Sequence, residues 1–459
     1  MAAELNNLLK ATSRTFYRTL RVLPGAVRPQ ISLAYLLART GDTIADTEIV
    51  PLDQRLAALQ KLRERIASPN AAPLHFGEFA RQQGSPAEQT LLEKVEVSLA
   101  SMQKFSAADQ KLVRDVLAII LSGQELDLRR FAKATLPPEG GTRSIVALET
   151  AAQLDDYTYR VAGCVGEFWT RLCRARLFPD AVLDEKQLIA DGVRFGKGLQ
   201  LVNILRDLPA DLKKGRCYLP KDRLDASKLL PETLLSPANA KKFLPLFHEY
   251  LDKAESHLAA GWAYTNALPF SQFRVRLACA WPILIGVRTL EKLRAANVIE
   301  LQQRVKVSRE EVRAIIRRSV LACPFPRAWR NLLPPGHPPE DAAHRLRHAR
   351  CPRESVGARG TGVPAGDHAL APRRRAPGVG HRPDEDVPRA AEDVRRETAM
   401  RDHAHRGARV AAGGGGRQGD PRGQVPWTAA RHPVGRQGPV RDQGDPDDVG
   451  REAVREPCD

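Results

Sequence analysis

The chain lacks any apolar run long enough to cross a bilayer. Its longest run, LACAWPILIGV at residues 277–287, is bounded by Arg276 and Arg288, whereas a membrane-spanning helix needs about 20 apolar residues. Residues 1–18 carry no hydrophobic segment after their charges, so no secretory signal peptide is predicted. The pattern favours a cytoplasmic protein in which residues 277–287 form a buried helix bent at Pro282.

Closely spaced cysteines are absent as well. Seven cysteines occur, and no two of them have the CxxC spacing of a zinc or redox site. We interpret them as reduced thiols that mostly serve packing, as expected in the cytosol.

Residues 331–459 lack the apolar residues that a folded core needs. From His337 onward there is no Lys, Ile, Phe or Tyr, and the sequence is mainly Arg, Gly, Pro, Ala, Asp and His. Such a segment cannot bury enough apolar surface to offset the entropy of ordering, so we predict a disordered Arg/Gly/Pro-rich tail. An out-of-frame extension encoded by GC-rich DNA would have the same composition.

Residues 1–330 are rich in Leu, Ala, Lys and Glu and are long enough to bury a large core. They contain no useful alternating strand pattern and no internal repeat. Apolar residues recur at helical spacing, and the predicted helices cover residues 5–20, 51–68, 86–104, 108–131, 239–267, 271–296 and 308–321. Ser308 and Glu311 have the spacing of a capping box. We therefore predict one all-α domain, residues 1–330, followed by the tail, residues 331–459.

The chain has an excess of positive charge, with a formal net charge of +17. The 22 Arg and 19 acidic residues of the tail leave +14 on residues 1–330. No sustained Lys/Arg run carries interleaved aromatic residues, so we do not expect nucleic acid as a partner. Polyanionic small molecules or an anionic membrane face explain the charge as well. A nucleic-acid-binding protein remains the alternative from a different class, and a salt-sensitive gel shift would support it.

Residues 191–220 combine an apolar helical stripe with acids, amides and cations. The polar side chains that gather beside the stripe are Gln200, Asn203, Arg206, Asp207 and Asp211. Asp207 and Asp211 are four residues apart, so both carboxylates lie on one helix face, about 6 Å apart along the axis. Two hard oxygen ligands with room for water suit Mg²⁺ better than Zn²⁺.

Lys213, Lys214 and Arg216 follow this acidic pair directly. Carboxylates on a metal ion beside several cations are suited to grip a diphosphate and to stabilise it as it leaves. Pro209 lies between the two aspartates and cannot donate its helical hydrogen bond, which predicts that the helix kinks or ends there.

A second acidic pair, Asp42 and Asp46, repeats the four-residue spacing far upstream. Tyr35 and Arg39 precede it at one-turn intervals, so a phenol, a guanidinium and two carboxylates share one stripe. Taken singly, each pair has a plainer explanation, either an exposed helix with solvated ion pairs or a helix end at Gly41. The repetition favours a site.

With both pairs considered, the chain resembles the squalene/phytoene synthase family of head-to-head prenyl transferases, from about Ser13 to Cys323. Four blocks carry the resemblance, in the family's order and at its spacings. They are SRTFYRTLRVLP, YLLARTGDTIADT, YTYRVAGCVG and FGKGLQLVNILRDLPADLKKGRCYLP. The resemblance implies an all-α isoprenoid synthase fold, a single helical domain around a central cavity.

The resemblance also implies a metal site at the cavity mouth. Asp42 and Asp46 would face Asp207 and Asp211 there, with Mg²⁺ ions that join them to substrate diphosphates. Asn203 matches a position that assists metal binding. Some squalene synthases carry further acids inside these motifs, but this chain has alanine at residues 45 and 210, so metal binding would depend on fewer carboxylates.

Further roles are implied by matching positions. The arginines expected at diphosphate or NADPH phosphates are Arg14, Arg39, Arg206 and Arg216. The other residues expected to contact substrate are Phe16, Tyr35, Gln200 and Tyr264. Tyr157 matches a tyrosine proposed to assist proton removal or cation control, and we expect it to be catalytic together with the four aspartates. The basic segment around Lys306 resembles the part of squalene synthases that contacts NADPH.

The implied reaction joins two farnesyl diphosphates through presqualene diphosphate to squalene, with Mg²⁺ and NADPH as cofactors. Phytoene synthases share most of these blocks and join two geranylgeranyl diphosphates without a reductant. A synthase that stops at presqualene diphosphate is a further alternative, as is a catalytically dead member that only binds prenyl diphosphates. We expect a cytoplasmic monomer, with peripheral contact to the inner face of a membrane as an additional option.

Overall fold

The computed structural model describes residues 3–13, 16–133, 144–234, 236–296 and 305–333. Nearly all of the predicted tail lies outside these described residues, so its disorder stays a prediction. Within the described ranges, no helix is both long and apolar enough to cross a membrane.

The described chain forms sixteen α-helices. They are α1 (Ala3–Ser13), α2 (Phe16–Val22), α3 (Arg28–Asp46), α4 (Leu52–Ala67), α5 (Gly77–Arg81), α6 (Pro86–Glu93), α7 (Val95–Met102), α8 (Ala107–Arg130), α9 (Ala151–Thr158), α10 (Cys164–Leu177), α11 (Glu185–Lys213), α12 (Lys221–Ala226), α13 (Ala240–Ala267), α14 (Phe273–Ala295), α15 (Arg309–Ala322) and α16 (Pro326–Arg330). A π-helix, Tyr159–Gly163, joins α9 to α10.

The helix α11 connects the two halves of the hydrophobic core. One cluster of buried apolar residues lies mainly among α1 to α8 and α10, and the other lies among α11, α13, α14 and α15. Along its length α11 packs on α13, and it also contacts α10 and α14. Its contact with α10 is backbone to backbone, because a Cβ added to Gly166 would lie 1.8 Å from the carbonyl oxygen of Gly192. Any larger residue at Gly166 would force the two helices apart.

The predicted helices are confirmed with differences in their boundaries. The stretch predicted as one helix over residues 5–20 holds α1 and α2, and the stretch over 86–104 divides into α6 and α7. The division falls at Lys94, whose backbone leaves the helical conformation with φ −98° and ψ 16°. The capping box of Ser308 and Glu311 is confirmed, with both reciprocal hydrogen bonds present.

The helices that carry the two acidic pairs end later than the helix-breaking residues Gly41 and Pro209 suggest. The helix α11 does not end at Pro209 but continues to Lys213, because a proline removes one hydrogen bond from a helix that is packed along α13. The alternative in which a helix ends at Gly41 is wrong, since α3 continues to Asp46. A Cβ at Gly41 would lie 2.3 Å from the Gln124 side-chain oxygen, so glycine leaves room there for α8.

Two short strands were not expected from the sequence. The strand β1 (Val146–Leu148) pairs in parallel with β2 (Arg216–Pro220), and Val146 is opposite Arg216. Gly215 precedes β2 with φ 76°, a left-handed conformation that favours glycine. Together the turn and the ladder fix the cationic segment that follows α11.

Candidate active site

The first acidic pair lies in the last turn and a half of α3. Asp42 and Asp46 are both half-buried, and the Gln124 side-chain amide donates to Asp42 Oδ1. Carboxylates at a helix C-terminus are disfavoured by the helix dipole, which is negative at that end. An external cation would therefore bind here with the help of both the acids and the dipole.

Arg39 and Tyr35 share this environment, as the stripe predicts, and Phe16 packs beside Tyr35. Arg39 is only 5% exposed and forms an ion pair of 2.5 Å with Glu88 of α6. Burial alone would lower the pKa of Arg39, but Asp42, Tyr35 and Glu88 outweigh it, so its pKa is raised. The rings of Phe16 and Tyr35 are 5.1 Å apart. Arg39 therefore stays cationic beside the acidic pair.

The second acidic pair lies in the last two turns of α11. Arg206 donates from Nε and Nη2 to the two carboxylate oxygens of Asp207, at 3.0 and 2.8 Å. Arg206 is 4% exposed and Asp211 is 3% exposed. A buried bidentate pair of this kind holds the Asp207 carboxylate in a fixed orientation.

Asn203, one turn before Asp207, has a side chain that the surrounding protein does not satisfy. It is 6% exposed, and neither its Oδ1 nor its Nδ2 has a hydrogen-bond partner among the residues that the structure describes. Leaving one such buried polar group unpaired costs about 1–3 kcal/mol. The Oε1 atom of Gln200 is likewise buried without a partner. These orphaned oxygens point to a ligand that the chain itself does not supply.

The donor set fits Mg²⁺ that binds together with a diphosphate. Among the residues that the structure describes, no group of three or more His, Cys, Asp or Glu is placed to hold a metal ion alone. Mg²⁺ is typically held by one or two carboxylates, waters and substrate phosphates rather than by a complete protein cage. Asp42, Asp46, Asn203, Asp207 and Asp211 are the residues that would hold it.

Ion pairs connect the ends of α3 and α11. Glu48, two residues after Asp46, lies 3.3 Å from Arg216 and 3.9 Å from Lys214. Arg216 is also 3.8 Å from Asp127 of α8. The segments that follow the two acidic pairs therefore meet at one end of the helical domain.

Sequence reasoning missed Arg55, which lies on α4 near this meeting point. Its Nη1 donates to the carbonyl of Ala45 at 2.8 Å, and its Nε is buried without a partner in the described part of the chain. Burial lowers the pKa of Arg55, and Arg216 lowers it further, whereas Glu48 raises it. No motif marks Arg55 in the sequence, because it belongs to a different helix from either acidic pair. Arg55 is recognised only from its position near Arg216 and Glu48 in the folded protein.

Tyr157 is held rigidly at the end of α9. It is 4% exposed, its ring stacks on Tyr218 with centroids 4.8 Å apart, and Gln200 Nε2 donates to its hydroxyl at 3.4 Å. The π-helix that follows is a rare element that often marks functional positions.

An apolar pocket with about 410 Å³ of empty space, part of it open to solvent, lies among α10, α11, α13 and α14. Its small and aromatic lining residues include Gly166, Gly192, Gly196, Trp169, Phe195 and Tyr264. Tyr264 is 1% exposed, and Thr170 Oγ1 donates to its hydroxyl at 3.2 Å. Burial raises the pKa of Tyr264 well above its usual value, so the phenol stays neutral. The substrate contact expected of Tyr264 stays a prediction, and the structure places this residue in the lining of the apolar pocket.

Of the predicted cofactor contacts, Lys306 lies just before α15, and Arg14 lies outside the described residues. The carbonyl of Lys306 accepts a hydrogen bond from Lys292 Nζ at 3.1 Å.

Comparison with known proteins now decides the family. The family model described as Squalene/phytoene synthase matches residues 9–311, which is more than half of the chain. The chain belongs to the squalene/phytoene synthase family. This confirms the resemblance on which the site prediction depends.

Several curated members of the family are similar in sequence. The bifunctional lycopene cyclase/phytoene synthase of Gibberella fujikuroi is 29% identical over 252 residues, which cover 54% of this chain and 40% of that protein. The squalene synthase of Schizosaccharomyces pombe is 24% identical over 313 residues, 68% of this chain and 64% of that protein. The presqualene diphosphate synthase of Sinorhizobium fredii is 31% identical over 224 residues, 49% and 64% of the two chains. The chain thus spans less than two thirds of each of these relatives.

Solved structures of TcSQS support the fold. The complex with the ligand BPH1237 has a TM-score of 0.57 at 20% identity and covers 77% of this chain and 92% of that chain. The complex with the ligand E5700 has a TM-score of 0.58 at 20% identity and covers 76% and 97%. The predicted all-α isoprenoid synthase fold is confirmed, with the small β1–β2 pair as an addition.

Proposed function

We propose that this family member condenses two farnesyl diphosphates head to head, through presqualene diphosphate, to squalene. The observation that carries the proposal is the buried and unpartnered amide of Asn203, one turn from Asp207 and close in sequence to a cationic segment. The squalene synthase and presqualene diphosphate synthase among the relatives support it. Residues 1–330 would form the catalytic domain, and residues 331–459 would be a tail without a catalytic role.

Mg²⁺, when bound, would supply the positive charge that stabilises a departing diphosphate. In the first half-reaction an allylic C–O bond would break, and the double bond of the second substrate would form a C–C bond to the resulting cation. Loss of a proton from the carbon that carried the departed diphosphate would then form a second C–C bond and close the cyclopropane ring. Arg39, Arg206 and Arg216 would contact the phosphate oxygens and add to the stabilisation. Arg216 would exchange its contact with Glu48 for one with the diphosphate.

The apolar pocket would protect the carbocation from water. Its lining consists of aliphatic and aromatic side chains, and aromatic faces attract a cation. Tyr157 would take part in removing the proton or in confining the cation. In the second half-reaction the cyclopropylcarbinyl diphosphate would lose its diphosphate, the cation would rearrange with opening of the ring, and a hydride from NADPH would give squalene and NADP⁺. Arg14, Arg39, Arg206 and Lys306 are the proposed contacts of NADPH.

Product analysis separates this proposal from its alternatives. The purified chain is incubated with Mg²⁺ and farnesyl diphosphate, with and without NADPH, and in parallel with geranylgeranyl diphosphate. Squalene should form only with NADPH, and presqualene diphosphate should accumulate without it. Turnover of the C20 substrate alone would favour phytoene synthesis, as in the bifunctional relatives. Accumulation of presqualene diphosphate despite NADPH would identify a synthase that stops there.

We also propose Arg55 as a diphosphate contact. Its guanidinium has a buried Nε without a partner beside Arg216, which an incoming phosphate oxygen could satisfy. Arg55→Gln should raise the KM for farnesyl diphosphate on the order of tenfold, as expected for a charged hydrogen bond, with a smaller change in kcat.

The matched control for this measurement is Arg63→Gln. Arg63 lies on the same helix, its side chain is 46% exposed, and it pairs with Glu125 at 3.6 Å. Steady-state kinetics should show no change in KM for Arg63→Gln. An equal effect of the two substitutions would reject a specific role for Arg55.

A further inference from the structure

One edge of the molecule exposes several aromatic side chains. Phe270 and Phe273, at the start of α14, are 53% and 39% exposed, and Phe325, just before α16, is 63% exposed. We call these three residues the aromatic edge. Exposed apolar side chains that cluster on a soluble protein commonly mark a contact with another apolar surface.

Arg276 connects the two parts of the aromatic edge. Its guanidinium carbon lies 5.5 Å from the centre of the Phe270 ring and 5.1 Å from that of the Trp329 ring. The Trp329 backbone N–H donates to the carbonyl of Phe325 at 2.8 Å. Arg276 and Trp329 also share Asn266 Oδ1 as an acceptor, at 3.4 and 2.9 Å. The start of α14 and the start of α16 therefore form one surface.

Arginines border this surface where α14 meets α2. Arg274 Nε donates to the carbonyl of Val22 at 2.8 Å, and Arg28 Nε donates to the next carbonyl, that of Leu23, at 3.1 Å. Burial lowers the pKa of Arg28, and the positive charges of Arg274 and Arg21 lower it further. The three guanidinium groups of Arg21, Arg28 and Arg274 are thus close together.

The sequence of the same elements is free of acidic residues. Residues 5–41, 268–290 and 312–333 contain no Asp or Glu. Arg327 and Arg330, on either side of Trp329, are exposed. The elements that carry the aromatic edge therefore contribute positive charge and favour a negatively charged partner.

The apolar pocket begins close to the aromatic edge on the same helix. Cys279 lines the pocket and lies six residues after Phe273, about 9 Å along the axis of α14. Ala278 and Pro282 of this helix also line it. A long hydrocarbon in the pocket would therefore lie only a short distance from an apolar surface bound at the aromatic edge.

We propose that the aromatic edge docks this protein on the surface of an anionic lipid bilayer. The three phenylalanines would enter the headgroup region, and Arg21, Arg28 and Arg274 would contact anionic headgroups. A soluble polyanion would fit the arginines but would not cover three exposed phenylalanines. The docking is inferred from the aromatic edge and its arginines, independently of the proposed function. Its purpose, the release of an apolar product into the membrane, rests on the proposed function.

Vesicle flotation with the full chain tests the docking. The vesicles contain either phosphatidylcholine alone or equal parts of phosphatidylcholine and phosphatidylglycerol. The unmodified chain should bind the mixed vesicles more strongly than the neutral ones, and added salt should weaken that binding. Phe270→Ser/Phe273→Ser should reduce binding to the mixed vesicles at least about tenfold. Arg21→Gln/Arg274→Gln should reduce it on the order of tenfold, with little effect on neutral vesicles.

The matched control is Leu230→Ser/Leu244→Ser. These two leucines are 58% and 44% exposed, and Leu244 lies at the first turns of α13, whereas the aromatic edge follows its last turn. The part of α13 from Leu244 to Ala267 separates Leu244 from the end of the helix before Phe270 by about 35 Å along the axis. This variant should bind vesicles like the unmodified chain.

Several outcomes would overturn the docking proposal. One is an equal loss of vesicle binding in the phenylalanine variant and the leucine control. Another is unchanged binding in both the phenylalanine and the arginine variant, and a third is equal binding of the unmodified chain to anionic and neutral vesicles. Loss in the arginine variant alone would indicate a soluble polyanion instead. Turnover of the phenylalanine variant in detergent should equal that of the unmodified chain, which also confirms that it folds. Absence of turnover from every variant would reject the proposed function without changing the flotation result.

Discussion

Asp207→Asn is expected to lower the Mg²⁺-dependent release of diphosphate from farnesyl diphosphate by about 10²–10³-fold, the range seen when one stabilising contact to a developing charge is lost. The amide keeps the shape of the side chain but removes the negative charge that would hold the metal. It also weakens the hold on Arg206, whose guanidinium bonds both oxygens of Asp207. Both consequences reduce stabilisation of the leaving group.

Asparagine is preferable to alanine at this position because Arg206 is only 4% exposed. Truncation to alanine would leave a buried guanidinium without its partner, which typically costs 3–5 kcal/mol, roughly half the stability of many domains. A loss of activity could then reflect unfolding. With asparagine, thermal unfolding followed by circular dichroism should show a smaller change.

The control for Asp207→Asn is Asp115→Asn on α8. The Asp115 side chain is 56% exposed and pairs with Lys111 at 2.7 Å, an exposed contact that contributes little. Diphosphate release should be unchanged in this control. Asp42→Asn should behave like Asp207→Asn, since the two acidic pairs would share the metal ions. Normal turnover in either site variant would contradict the assigned role.

Asn203→Leu is expected to stabilise the fold while it suppresses catalysis. Leucine branches at the same carbon as asparagine and has no polar side-chain atoms, so it removes two buried groups that have no hydrogen-bond partner among the described residues. The free energy of unfolding should rise by about 1–3 kcal/mol, the cost of an unsatisfied buried group. Turnover should fall on the order of 10²-fold, because the amide would contact the metal or the diphosphate only when they are bound.

Two measurements on Asn203→Leu separate a ligand-binding role from a structural one. Denaturant unfolding of the free protein should show the gain in stability. The rise in Tm that Mg²⁺ and inorganic diphosphate cause in the unmodified chain should be smaller in the variant.

Gln30→Leu is the matched control for that substitution. Gln30 is also buried, at 7% exposure, and its Oε1 has no partner among the described residues, but its Nε2 donates to Asp109 at 2.9 Å. Its replacement should destabilise the protein and leave the response to Mg²⁺ and diphosphate intact. Destabilisation by Asn203→Leu, with an unchanged response to both ligands, would show that Asn203 serves packing alone.

Local patterns in the sequence determined most of the helices and the identity of the candidate acids. Helical spacing of apolar residues predicted α8, α13, α14 and α15 within a few residues of their observed ends, because that spacing is a property of each segment alone. The spacing of Asp42 from Asp46, and of Asp207 from Asp211, predicted that each pair shares a helix face. Both pairs do lie on continuous helices, α3 and α11.

Tertiary packing decided what those local rules left open. Pro209 and Gly41 are breakers by propensity, but α11 continues because it is packed along α13, and Gly41 accommodates Gln124 of α8. The parallel pairing of β1 with β2 also depends on distant segments. A strand of three residues has too few side chains to produce an alternating pattern.

The sequence by itself determined the helical class, the family blocks and the acidic pairs, because each of these features depends on residues that are neighbours along the chain. Only the tertiary structure decided that Glu48 joins the ends of α3 and α11, that Arg55 lies beside Arg216, and that Asn203 is left without a partner. Contacts between distant segments and the burial of single atoms depend on how helices pack. Neither has a signature in the order of residues along one helix.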